Sequence, residues 1–122
     1  NPALNIDELA AQRGASPEDK TRAEAITPNR FIKAGVPPAI MFFGADDALI
    51  QGARGYLAKA KPLDLRAELW VADGQAHGFF NRAPWSHVTA HKADEFLASL
   101  GYLSGAPTLK LPEGVPALKR TE

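Results

Sequence analysis

Residues 37–47 read PPAIMFFGADD, and this stretch decides the fold. Pro37 and Pro38 stiffen the backbone into an extended lead. Ala39 to Phe43 is then an uninterrupted apolar run, closed by Gly44. A short apolar run bounded by Pro and Gly suits a parallel strand buried on both faces. Two acids, Asp46 and Asp47, follow at the carboxyl end of that strand.

Downstream, apolar residues recur at helical spacing from Leu49 to about Ala60 (Ile50, Ala53, Tyr56, Leu57, Ala60), and Pro62 ends the pattern. Arg66 to Ala72, RAELWVA, predicts a second strand, alternating at first and apolar at its end, with Trp70 in the core. After a loop containing Gly74 and Gly78, residues 85–100 place Val88, His91, Ala93, Phe96, Leu97 and Leu100 roughly on one helical face, with Gly101 as the stop. Upstream, Ser16 followed by Asp19, with Pro17 between them, predicts a capped helix running to about Ala25, broken by Thr27-Pro28. Three units follow: loop and short helices over 1–28, an α/β portion over 29–104, and an extended tail with several Pro and Gly over 105–122.

The order strand, helix, strand, helix argues an α/β fold with parallel strands. Two apolar strands make a poor sheet by themselves, because each leaves an unpaired edge. The chain is therefore expected to be part of a larger sheet.

Composition removes several function classes. Fourteen basic and fourteen acidic side chains leave no net charge, so nothing favours nucleic acid or an anionic membrane. The longest apolar stretch, around Val36 to Phe43, is far short of the roughly 20 residues of a membrane helix. Without cysteine there are neither disulfides nor thiolate metal ligands. No signal peptide is visible, but the chain opens at Asn1 without Met, so a leader could have preceded it; the compartment stays open.

Each predicted strand is followed by a loop with a titratable residue: Asp46 and Asp47 after the first, His77 after the second. In open α/β sheets, ligands bind beyond the carboxyl ends of the strands, where such loops meet. A carboxylate beside an imidazole fixes the tautomer of the ring, and the other ring nitrogen can then deprotonate a hydroxyl. Bland readings compete with this one. An Asp after a strand also serves as a turn or cap residue, and a solitary loop His is commonly structural.

Gly44-Ala45-Asp46-Asp47 resembles the G-x-x-D acid loop of α/β-hydrolases, and His77-Gly78-Phe79-Phe80-Asn81 resembles the H-G-F segment that carries the base in their esterase and lipase branch. PPAIMFF, the later FLASLGYL and the opening Asn1-Pro2-Ala3-Leu4 are similar to that branch too, so the likeness runs from Asn1 to about Leu103. It implies the C-terminal portion of an α/β-hydrolase sheet (β-α-β-α), with residues 1–28 lying after the nucleophile. It also implies Asp47 as triad acid, with Asp46 as its rival one step along the loop, and His77 as base. Phe79 and Phe80, with Trp85, are candidates to wall an acyl pocket, or equally core. The implied substrate is a small carboxylic ester, and the reaction needs no metal or organic cofactor. Peptidases of the prolyl oligopeptidase type share this half of the fold and are the neighbouring alternative.

One departure outweighs these matches. No G-x-S-x-G occurs; Ser16, Ser86, Ser99 and Ser104 are the serines, and none is flanked by the elbow glycines. The oxyanion loop of the family is missing as well. The expectation is a proteolytic fragment, a truncated chain or a split gene product, inactive alone, whose partner is the missing N-terminal half. The rival from another class is a non-catalytic binding module that self-associates through exposed strand edges. His87 and His91, four apart on a predicted helix, have the spacing of two metal ligands but no third ligand, so a partly packed, partly wet face is the simpler reading.

Overall fold

The computed structural model describes residues 2–121. Two short helices open it, α1 (Ile6–Gln12) and α2 (Pro17–Ile26). Ser16 caps α2: its Oγ accepts from the Asp19 amide at 3.1 Å and donates to the Asp19 carboxylate at 2.7 Å, with Pro17 at the first helical position. A 3₁₀ turn over Pro28–Arg30 follows the break at Thr27. Then come β1 (Ala39–Gly44), α3 (Ile50–Ala60), β2 (Ala67–Ala72), α4 (Trp85–Ser99) and β3 (Lys119–Thr121).

β1 and β2 pair in parallel with Ala39 opposite Ala67 and Gly44 opposite Ala72, so both strands end at one level. That register puts the acid-bearing and base-bearing loops side by side. β3 pairs antiparallel with β2, Leu69 opposite Thr121, giving a mixed sheet in the order β1-β2-β3. The end of the tail is thus a strand, and it covers the β2 edge that the sequence left unpaired. Lys119 forms an ion pair with Asp73, and Arg120 lies 3.9 Å from Glu68, which together pin the strand.

The sheet divides its side chains by the two-residue period of a strand. Met41, Phe43, Leu69 and Val71 face α3, whose Ile50 and Ala53 close the main core together with Leu4. Phe43 and Leu69 are wholly buried, each burial contributing roughly 1.5–3 kcal/mol. On the other face Trp70 is half-buried rather than in the core: its indole N–H donates to Glu68 at 3.0 Å, and the Lys92 ammonium of α4 sits 4.4 Å from its ring centroid. Glu68 is buried because Trp70 and Arg66 satisfy its carboxylate, and Arg66 also lies 4.8 Å over the Phe96 ring. Asn29 ties the N-terminal unit to α3 by donating to the Gly52 carbonyl at 2.9 Å. No helix among the described residues is long and apolar enough to cross a membrane.

Candidate active site

The acid loop begins where β1 ends. The Ala45 amide donates to the Ala72 carbonyl at 2.9 Å, carrying the ladder one step past the strand. A tight turn follows, in which the Asp47 amide donates to the Gly44 carbonyl at 3.2 Å. That turn separates the two acids: Asp46 points outward and is exposed, whereas the Asp47 side chain is 1% exposed. The Leu49 amide donates to Asp47 Oδ1 at 2.9 Å. The carboxylate is therefore held by one oxygen and presents the other, Oδ2, to its neighbour.

That neighbour is His77. Its Nδ1 lies 3.1 Å from Asp47 Oδ2, although thirty positions separate the residues. The imidazole is 60% exposed, and its Nε2 makes no hydrogen bond among the described residues. The base loop takes its shape from Gly78, at φ +77°, a left-handed conformation that suits glycine. Gly78 then starts a 3₁₀ turn over Phe79–Asn81, its carbonyl accepting from the Asn81 amide at 3.0 Å.

Beside His77 lies an open depression of 730 Å³, walled by Phe79 and Trp85 and edged by Gln75, Asn81 and Arg82. Phe79 is buried, with Phe80 and Trp85 edge-on to it at 5.5 and 5.4 Å between centroids. Phe80 is half-buried and does not line the depression. The sequence paired these two phenylalanines; the structure gives them different surroundings.

Of the helical histidines, His87 is exposed. His91 Nδ1 is bonded to the Leu109 carbonyl at 2.8 Å and its Nε2 lies 3.5 Å from Glu95, so it fastens the tail to α4. Among the described residues no cluster of His, Asp or Glu is arranged to hold a metal. What the sequence did not reveal is the main-chain seam between the loops: the Gln75 carbonyl accepts the Asp46 amide at 3.0 Å. Gly44 was the available signal, since a Cβ there would sit 1.9 Å from that same carbonyl oxygen.

Comparison with solved structures gives this geometry its setting. Thermogutta terrifontis esterase 2 in its apo form is 31% identical and superposes with a TM-score of 0.71, the match covering 86% of this chain and 42% of that one. This chain carries part of an α/β-hydrolase esterase fold. The same esterase phosphoramylated by tabun is 32% identical at a TM-score of 0.70, over 86% of this chain and 41% of that one. A thermophilic esterase from the Planctomycetes species Thermogutta terrifontis with propionate bound matches at 31% identity and 0.70, over 88% and 43%. This chain thus spans less than half the length of the solved structures it matches. No family model and no curated protein matches it.

Proposed function

We propose that this chain supplies the acid and the base of a carboxylic-ester hydrolase that works through a Ser-His-Asp triad. The observation that carries the reading is the contact of a buried Asp47 with an exposed His77, 3.1 Å apart at the carboxyl ends of two paired parallel strands. The serine comes from polypeptide outside these residues, since no G-x-S-x-G is present here.

The chemistry follows from the geometry. Asp47 accepts from Nδ1–H, which leaves the lone pair on Nε2, at the solvent side of the ring. Nε2 takes the proton of the serine hydroxyl as the oxygen attacks the ester carbonyl. The imidazolium, steadied by Asp47, returns that proton to the departing alcohol. Water then repeats the cycle on the acyl-enzyme, with His77 again as base, and the acid is released. Phe79 and Trp85 give the acyl chain an apolar wall, with Phe80 buttressing Phe79. Neither a metal nor an organic cofactor enters these steps.

The test is hydrolysis of p-nitrophenyl butyrate by the protein with its nucleophile-bearing segment present. His77→Ala is expected to lower kcat by about 10⁴ or more. Turnover close to wild type in that variant contradicts the proposal.

A second reading rests on β1. Among the described residues its outer edge has no partner strand, although its side chains are all apolar. A binding or self-associating module would use that edge. Sedimentation of this chain as a single monomeric species at all concentrations would count against that role.

A further inference from the structure

We infer that Arg82 makes this site selective for esters that also carry a carboxylate, such as half-esters of dicarboxylic acids; the inference rests on the ester-hydrolase reading above. Among the described residues, Arg82 is the only charged or titratable one besides His77 to line the depression. The rest of the lining is apolar or neutral, with Gln75 and Asn81 as its other hydrogen-bonding side chains.

The guanidinium is uncommitted. Arg82 is exposed at the edge of the depression and, like Arg13 and Arg54, makes no ion pair, side-chain hydrogen bond or ring contact among the described residues. Its main chain, by contrast, is fixed. The Arg82 carbonyl accepts the Ser86 amide at 2.9 Å, where α4 begins, and the 3₁₀ turn of Phe79–Asn81 joins it directly to the base loop. Base and cation therefore sit on one short segment, anchored to Asp47 at one end and to α4 at the other.

A planar guanidinium fork matches a carboxylate with two parallel hydrogen bonds, and Phe79 and Trp85 line the same depression. A substrate whose ester carbonyl reaches His77 and whose free carboxylate lies a few bonds away would engage both groups. A neutral ester of equal length would engage only the first.

The experiment compares p-nitrophenyl butyrate with mono-p-nitrophenyl glutarate in the protein with its nucleophile-bearing segment, for wild type, Arg82→Gln and Arg82→Lys. The ratio of kcat/KM, half-ester over butyrate, is expected to fall about tenfold in Arg82→Gln. The loss should lie in KM, with Arg82→Lys falling less and added salt narrowing the difference. An unchanged ratio, with butyrate still hydrolysed in a His77-dependent way, overturns this inference alone. Failure to hydrolyse either ester overturns the ester-hydrolase reading as well. Binding gives a readout free of turnover: titrating glutarate should move the Arg82 Nε–H resonance in a ¹H–¹⁵N spectrum, and a stationary resonance overturns the inference.

Discussion

The amide of Asp46 donates to the carbonyl of Gln75 at 3.0 Å, and this main-chain bond couples the acid loop to the base loop. Asp46 does structural work through its backbone while its side chain faces solvent; Asp47, one step on, turns its carboxylate inward to His77. The bond is short enough to require a glycine beneath it. Gly44 lies where any Cβ would overlap the Gln75 carbonyl.

Gly44→Ala should therefore separate the two loops. A Cβ 1.9 Å from one backbone oxygen and 2.8 Å from that of Ala76 cannot be relieved by rotating a side chain. We expect a destabilisation of about 1–3 kcal/mol or more, measured by urea denaturation, and loss of the Asp47–His77 contact. A variant as stable as wild type would mean that the loops do not approach this closely.

Acid sensitivity should have an identifiable origin near α1. Arg30 donates to Asp7 at 2.7 Å and holds that carboxyl below its ordinary value of 3.8, with partial burial opposing. A carboxyl whose folded pKa is depressed adds stability above its unfolded pKa and loses it as pH falls through the lower folded value. Asp7→Asn should thus cause a small loss near neutral pH that shrinks as pH falls below 3.8 and through the lower folded value. Denaturation midpoints of both proteins across that range check it; a gap that is constant with pH would rule out this pair as the cause.

The C-terminal strand should guard an edge. β3 covers the outer side of β2 and is pinned by Lys119 to Asp73 and by Arg120 to Glu68. Removing residues 105–122 uncovers an apolar strand edge of the kind that pairs with other chains. The weight-average sedimentation coefficient of the shortened chain should rise with concentration more steeply than that of the intact one. Equal behaviour would show that β3 is dispensable for keeping chains apart.

Much of this architecture was legible in the sequence because its signals are local. The apolar run after Pro37-Pro38 predicted β1, the spacing of Ile50 to Ala60 predicted α3, and Ser16 with Asp19 predicted the start of α2; the structure has all three. Placement on strand-end loops brought an acid of the pair Asp46 and Asp47 toward His77, the resemblance to G-x-x-D favoured Asp47, and it is Asp47 that makes the contact. The strand β3 was not. Lys119-Arg120-Thr121 is short, charged and preceded by a Pro-containing tail, and it forms only because β2 offers an edge and Asp73 and Glu68 offer charge. Trp70 was misplaced for a related reason: alternation along β2 shows which residues share a face, not that Lys92 and Glu68 will meet the indole there. Likewise the seam between Asp46 and Gln75 is made by backbone atoms, which every residue carries, so only Gly44 marked it.

The most direct test sets the two adjacent acids against each other. Asp47→Asn and Asp46→Asn are compared for kcat on p-nitrophenyl butyrate, in the protein with its nucleophile-bearing segment present. Asp47→Asn is expected to lower kcat by about 10⁴, because the asparagine no longer holds the productive tautomer of His77, while Asp46→Asn changes it no more than a few-fold. A large loss in Asp46→Asn with Asp47→Asn near wild type would contradict the account.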